Sequence, residues 1–150
     1  HTESAPLTAE ALEQFLPQAR RGVYIALQAY VQPTAEASAE LAALRVQLRD
    51  RHRLATTVGY GPRFLHSTRQ LHKGDAGNGL FIQLTADASR DVPIPDEAVA
   101  PDSTMSFGVL IRAQALGDQQ ALLDAGRRVI HFHLGDNVVG GLNRMKKALD

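Results

Sequence analysis

The chain has 150 residues, of which 44% are hydrophobic, and this is enough for one domain that buries roughly 70% of its unfolded surface. Its 16 basic and 16 acidic residues cancel, so net charge gives no reason to expect a nucleic acid or an anionic membrane as a partner. The absence of cysteine excludes a disulfide framework and is typical of a cytoplasmic protein, and no apolar run approaches the ~20 residues that would cross a bilayer.

The first half of the chain alternates helix and strand. A first helix is predicted to begin after the capping residue Thr8 and to end at Pro17. The apolar run 22–31 is typical of a strand covered on both faces. A second helix follows a cap at Thr34 and ends in the charged run 49–53, which we interpret as a solvated helix end. Its apolar face consists of Leu41, Leu44 and Leu48.

The second half continues this alternation. The segment 91–102 contains three prolines and several acids and is predicted to be a loop. Asp102 or Ser103 is the expected cap of the helix that follows, and a last helix runs to Ala148. The apolar face of the helix after the loop includes Phe107, Leu110, Ile111, Ala115 and Leu122. Buried strands are predicted over 54–58, 80–85 and 129–135.

Alternating helices and near-continuously apolar strands predict the fold class. They favour an α/β, three-layer sandwich with a mainly parallel sheet, Rossmann-like and doubly wound. We expect one domain over residues 1–150. Because the start has no initiator Met and no signal-peptide pattern, we expect residues 1–6 to be disordered or vector-derived, and the chain to be a piece of a longer protein.

The segment Gly59–Gly74 combines a Gly-rich turn with a cluster of polar side chains. It follows a predicted strand, and Pro62 suits the first position of a helix, where no backbone donor is lost. A strand, a Gly-rich turn and a helix N-terminus at a sheet edge form a binding place for anionic ligands. Gly59 and Gly61 are therefore candidate ligand-binding residues.

The helix predicted after Pro62 has a polar stripe with two interpretations. Beside the Gly-rich turn, the stripe would be a row of hydrogen-bond donors with one titratable imidazole. It is also what an ordinary amphipathic helix shows when its polar face lies in water, with Phe64, Leu65, Thr68 and Leu71 toward the sheet. Both interpretations stay open. At spacings of three and four, the stripe consists of Arg63, His66, Gln70 and Lys73.

The histidines differ in what they predict. His66 is the strongest acid–base candidate because an imidazole titrates near neutral pH, although it could equally hydrogen-bond a neighbouring loop. His72 points away from the stripe, so a paired role with His66 is not expected. His131 and His133 share a strand face, but spacing indicates no third metal ligand. We predict no metal site and place His133 as a wall of the ligand crevice.

Six segments of the chain carry a family resemblance. They are Gly59–Gly74, Gly79–Asp87, Val92–Pro95, Ser106–Gly108, Arg112–Asp118 and His133–Leu134. Together they resemble the glucose-6-phosphate isomerase part of bifunctional transaldolase/phosphoglucose isomerase proteins, and the similarity covers most of the chain from about Gly22 onward. That part resembles a tandem of sugar-isomerase (SIS) domains, and this chain is similar to the second, C-terminal one.

The resemblance implies interconversion of glucose 6-phosphate and fructose 6-phosphate without a metal or cofactor. In that family a histidine opens the sugar ring, a glutamate carries a proton between C1 and C2 through an enediol, and basic groups stabilise oxyanion charge. The Leu65-His66-Ser67 segment is similar to the sequence around the ring-opening histidine, which assigns that catalytic role to His66. The implied substrate-binding residues are Gly59, Gly61, Arg63, Ser67, Gln70 and Lys73.

The chain also departs from the family pattern. Arg69 and Asp75 stand where the family has glycine, and Ile111 stands where it often has lysine. The catalytic glutamate cannot be placed on any Glu of this sequence. In related isomerases, moreover, much of the phosphate site belongs to the first SIS domain. We therefore expect the isolated chain to be an incomplete enzyme.

The expected partners follow from this resemblance. They are the two hexose phosphates, the upstream isomerase and transaldolase domains of a parent chain, and a second copy in a homo-oligomer. Two alternatives remain open. One is a non-catalytic SIS-type module that binds a sugar phosphate or mediates assembly, and the other is a structural half that packs on its neighbour.

Overall fold

The computed structural model describes residues 8–98 and 103–150. The expectations for residues 1–6 and for a helix cap at Asp102 lie outside the described residues. Within these described ranges there are five helices and six strands, with two short 3₁₀ turns at Leu16–Gln18 and Arg63–His66. The helices are α1 (Ala9–Phe15), α2 (Ala35–His52), α3 (Arg69–Gly74), α4 (Phe107–Asp124) and α5 (Val138–Ala148). The strands are β1 (Tyr24–Tyr30), β2 (Thr56–Tyr60), β3 (Gly79–Thr85), β4 (Pro93–Ile94), β5 (Met105–Ser106) and β6 (Arg128–His133).

Four strands form one parallel sheet in the order β2-β1-β3-β6. The connection from β1 to β2 runs through α2, and the connection from β3 to β6 runs through α4. One sheet face packs on α1, α2 and α5 through a core that includes Leu44 and Met145, and the other packs on α4 through Phe81 and Leu122. The structure therefore confirms the three-layer α/β sandwich with a parallel sheet.

Local sequence signals account for several boundaries. The side-chain hydroxyls of Thr8 and Thr34 accept hydrogen bonds from the backbone N–H groups of Ala11 and Ala37, as expected for helix caps. The predicted apolar face of α2 is buried as expected: Leu41, Leu44 and Leu48. In the described part of the chain, residues 8–98 and 103–150, none of the helices combines the length and apolarity that crossing a membrane would require.

The strand predicted over 54–58 is shifted and is less buried than expected. It runs over Thr56–Tyr60 and lies at the edge of the sheet, paired with β1 on one side. Thr57 and Val58 are exposed there. An apolar run indicates a strand but does not distinguish an edge from a centre, because that depends on the order of the strands.

The start of α4 also differs from the prediction. The cap is Ser106, whose hydroxyl accepts a hydrogen bond from the Val109 N–H, and not Ser103. The predicted loop contains β4, which pairs antiparallel with β5 and so carries the chain directly to Ser106. Phe107 and Ile111, predicted on the apolar face of this helix, are exposed, whereas Ala115 and Leu122 on the same face are buried.

Gly61 is fixed by the packing of an aromatic ring. A Cβ at this position would lie 2.4 Å from Cε1 of Tyr30, a buried residue at the end of β1. The ring of Tyr30 also packs edge-on against Phe64, with centroids 5.6 Å apart. The turn after β2 can therefore approach the sheet only with glycine at position 61.

We expect Gly61→Ala to lower the free energy of unfolding by about 1–3 kcal/mol, since the methyl group must displace the Tyr30 ring. Urea denaturation monitored by circular dichroism measures this. Gly117→Ala is the matched control. A Cβ at this position would meet nothing within 4 Å beyond its chain neighbours and its own helix backbone, and alanine favours a helix over glycine by up to about 1 kcal/mol. Equal destabilisation by both substitutions would contradict the packing account.

Candidate functional site

A cleft of about 570 Å³ lies beyond the carboxyl ends of β1, β2 and β3. Its wall includes Tyr30 and Tyr60, the last residues of β1 and β2, and Asp87, two residues past β3. Its volume is in the range of small-molecule sites. Gly108, near the start of α4, closes one side.

The position of this cleft follows from the strand order. From β1 the chain passes to β2 on one side, and it then returns to β3 on the other side of β1. The loops after β1 and β3 therefore diverge and leave a crevice between them. In open α/β sheets, ligands bind in this crevice at the topological switch point.

Charges of both signs line the cleft. Arg63 and Arg90 contribute guanidinium groups, and Asp87 and Asp91 contribute carboxylates. The two carboxylates differ, because Asp91 is engaged by hydrogen-bond donors from the Ser106 hydroxyl (2.5 Å) and the backbone N–H groups around it. These hydrogen bonds lower the pKa of Asp91, and the one from Ser106 has the largest effect. Asp91 thus fastens the loop after β3 to the start of α4.

The predicted site residues are not all brought to this cleft. Gly61 and Arg63 line it. Gly59 lines a separate groove of about 350 Å³ on the other side of the 3₁₀ turn. His66, Ser67 and Gln70 do not line the cleft, and all three are exposed.

The prediction of a single helix after Pro62 is wrong. Pro62 precedes a 3₁₀ turn over Arg63–His66, and the backbone bends at Ser67 (φ −136°, ψ −90°) before α3 begins at Arg69. The 3₁₀ turn advances by three residues per turn and not 3.6, so the predicted stripe does not form one continuous face. Consequently Leu71, expected against the sheet, is 63% exposed.

His72 takes the buried position instead. It is 6% exposed, and its Nδ1 lies 3.3 Å from Nε2 of Gln28 on β1. Its ring packs against Phe81 with centroids 5.1 Å apart. Burial lowers the pKa of His72, against the opposing influence of Asp118 and Asp75. Helix α3 is therefore held to the sheet by His72, which the sequence had placed away from the polar stripe.

Asp118 is a buried carboxylate that the sequence did not single out. It lies on α4 with a fully buried side chain, and its Oδ1 is 2.8 Å from Nε of Arg69 and 3.4 Å from Nζ of Lys73. Its Oδ2 accepts a 3.3 Å hydrogen bond from the hydroxyl of Tyr30. Burial and the adjacent Asp118 raise the pKa of Tyr30. The charge of Lys73, a predicted substrate-binding residue, is thus paired within the protein.

The departures from the family pattern have structural partners. Arg69 pairs with Asp118. Asp75 accepts a 2.5 Å hydrogen bond from the hydroxyl of Tyr24 and lies 3.1 Å from Arg127. Ile111 contributes to the cleft wall. Two of the three unusual residues therefore fasten α3 and the loop behind it.

The side chains of His131 and His133 both contact Thr85, and His133, expected as a wall of the crevice, is not among the residues that line the cleft. The Oγ1 atom of Thr85 lies 2.7 Å from Nε2 of His131 and 3.0 Å from Nδ1 of His133. Nε2 of His133 lies 3.4 Å from Oδ1 of Asp87, which also lies 3.4 Å from Arg112. In residues 8–98 and 103–150, no three His, Asp or Glu side chains are grouped to hold a metal ion.

Asp87, Arg90 and Asp118 were missed for different reasons. Asp87 follows the predicted strand 80–85 by two residues, and the rule for switch points could have found it. Arg90 lay in a stretch without periodicity. Asp118 looked like one polar position on an amphipathic helix, and its burial depends on how α3 and α4 pack.

The comparisons with known proteins bear on the fold. No protein-family model matches the chain, and no curated protein matches it. A crystal structure of hypothetical protein TT0462 from Thermus thermophilus superposes with a TM-score of 0.71 at 18% sequence identity. The match covers 94% of this chain and 37% of that protein, so the same fold unit occurs there within a longer chain.

We expect Asp118→Asn to lower the free energy of unfolding by about 1–3 kcal/mol, because the charges of Arg69 and Lys73 lose a buried partner but can turn toward water. Urea denaturation measures the loss. Asp124→Asn, on a more exposed carboxylate of the same helix, is the control and should change stability by less than about 0.5 kcal/mol. An Asp118→Asn variant as stable as the control would contradict a stabilising role.

The lowered pKa of Asp91 predicts a pH dependence. A carboxylate whose pKa is lower in the folded state stabilises the fold above its unfolded pKa of about 3.9, and the effect disappears as pH falls through the folded pKa. Asp91→Asn should therefore lower the melting temperature at neutral pH, with a difference from the wild type that shrinks below about pH 4. Scanning calorimetry across this range tests it. A difference that does not vary with pH would show that the charge of Asp91 is not responsible.

Proposed function

We propose that the chain is the C-terminal SIS-type domain of a cytoplasmic glucose-6-phosphate isomerase, whose switch-point cleft receives a hexose phosphate and whose His66 opens the sugar ring. One observation carries the proposal. The segment Gly59–Gly74, on which the family resemblance is strongest, enters the cleft with Gly61 and Arg63, and His66 follows on the same turn, exposed.

The charges of the cleft suit a phosphorylated sugar. Arg63 and Arg90 offer guanidinium donors, which bind phosphate in a bidentate manner. Tyr60 and the carboxylates offer polar groups for sugar hydroxyls. Ring opening requires a group that accepts a proton from the anomeric hydroxyl and donates one to the ring oxygen, and an imidazole suits both steps near neutral pH.

The exposure of His66 supports an incomplete site. His66 and Ser67 face solvent, whereas proton transfer to a bound sugar works best where water is excluded. A further surface must therefore cover this turn. We assign that surface to the upstream isomerase domain of a parent chain.

A non-catalytic sugar-phosphate-binding module is the second candidate. It is favoured by the pairing of Lys73 with Asp118, which removes a cation from the predicted substrate site. It is also favoured by the separation of Gly59 from the cleft. In this case the cleft would bind a sugar phosphate, and His66 would have no part in proton transfer.

A coupled assay of fructose 6-phosphate conversion to glucose 6-phosphate tests the proposal. We expect no turnover by this chain alone and clear turnover by the protein that includes its upstream domain. In the longer protein, His66→Ala should lower turnover of the cyclic sugar by about 100-fold and affect an open-chain analogue much less, since the analogue needs no ring opening.

His52→Ala, which removes a histidine that does not line the cleft, controls for nonspecific loss of activity. Equal losses by His66→Ala on both substrates would refute ring opening by His66. Binding of fructose 6-phosphate without turnover by the longer protein would favour the non-catalytic module.

A further inference from the structure

The cleft lacks the glutamate that an aldose–ketose isomerase uses as base. Among the described residues, the carboxylates that line it are Asp87 and Asp91, and no Glu does so. Asp91 accepts hydrogen bonds from the Ser106 hydroxyl and from backbone N–H groups at 2.5 to 2.9 Å, so its oxygens are engaged. The Asp87 side chain is about half exposed, and its close neighbours are both basic: Arg112 and His133.

Two basic side chains lie beside the Asp87 carboxylate. Nε2 of His133 and a guanidinium nitrogen of Arg112 each lie 3.4 Å from its Oδ1. Arg112 donates a hydrogen bond to this oxygen and His133 lies beside it, so the two neighbours hold the carboxylate in one orientation.

Behind this pair, Thr85 connects two imidazoles. Its hydroxyl lies within hydrogen-bond distance of Nδ1 of His133 and Nε2 of His131. The Thr85 hydroxyl carries a single proton. It can donate one hydrogen bond to one neutral imidazole and accept a hydrogen bond from the other. A proton on Nε2 of His133, facing Asp87, leaves Nδ1 to accept from Thr85, and Thr85 then accepts from His131. Thr85 thus fixes the tautomer of His133.

The two histidines have different surroundings. His131 is half-buried, and burial followed by the nearby His133 lowers its pKa. His133 is more exposed and faces Asp87, with Arg112 beyond it and His131 on its own strand. His131 therefore serves as a neutral hydrogen-bond partner behind His133, which is the ring that faces the cleft carboxylate.

We infer that Asp87 is the base of the switch-point cleft and moves the proton between C1 and C2 of the open-chain hexose phosphate, with His133, Thr85 and His131 as positioning residues. This inference rests on the proposed function. It assigns within this chain the role that the family gives to a glutamate.

The proton transfer balances without a further reactant. The Asp87 carboxylate takes the proton from C2 of the aldose, the electron pair of the broken C–H bond forms the C1=C2 bond, and the electron pair of the former C1=O1 bond moves to O1. The proton of the O2 hydroxyl then passes to the adjacent O1. As the carbonyl forms at C2, Asp87 returns its proton to C1.

The test uses the protein that includes the upstream domain, with isomerase rate and solvent exchange of the C2 deuterium of labelled glucose 6-phosphate as readouts. Asp87→Asn should lower kcat by about 100-fold or more, with little change in KM and loss of exchange. Asp124→Asn is the control carboxylate. Asp87 is exposed, so unfolding is not expected, and circular dichroism checks this.

The positioning role has its own readout. Thr85→Val should shift the pH profile of kcat/KM and Thr85→Ser should restore it, since serine keeps the hydroxyl. A wild type that is active with an Asp87→Asn variant of similar kcat would overturn the assignment of the base and leave the isomerase proposal standing. A wild-type protein that converts neither hexose phosphate would overturn both.

Discussion

The Asp118 carboxylate is the buried charge on which the arrangement of the candidate site depends. A carboxylate without solvent is costly unless charges and hydrogen bonds compensate it. Here Arg69 and Lys73 come from α3, and the Tyr30 hydroxyl comes from the end of β1. One side chain of α4 thereby ties together the helix of the Gly59–Gly74 segment and a wall of the cleft.

This arrangement explains why the segment divides its residues between two places. Tyr30 and Phe64 pack edge to face, and the Gly61 backbone fits against Tyr30. Gly61 and Arg63, near the start of the segment, therefore line the cleft. The rest is held back by Asp118 and by the burial of His72, which leaves His66 on the outer side of the turn. A site that needs both His66 and the cleft must be completed by another surface.

More of the fold than of the candidate site could be predicted from the sequence. Caps at Thr8 and Thr34 and the leucine face of α2 are local signals, and the structure confirms them. The interruption of the helix at Ser67 could not be predicted. The spacing of Arg63, His66, Gln70 and Lys73 is the same as that of residues on one face of a continuous helix. The burial of His72 and Asp118 depends on contacts between residues more than 40 positions apart. A periodic pattern within one helix contains no information about such contacts. The assignment of His66 and of the substrate-binding residues stays a prediction.

The central claim is that the switch-point cleft of this chain receives a hexose phosphate. Heteronuclear NMR of the labelled chain during titration with fructose 6-phosphate tests it directly, because binding is required whether or not the isolated domain is active. We expect saturable shifts of the backbone signals of Gly61, Arg63 and Asp87, with Gly59 and Leu71 of the neighbouring groove little changed. Shifts confined to that groove, or none at millimolar ligand, would contradict the account.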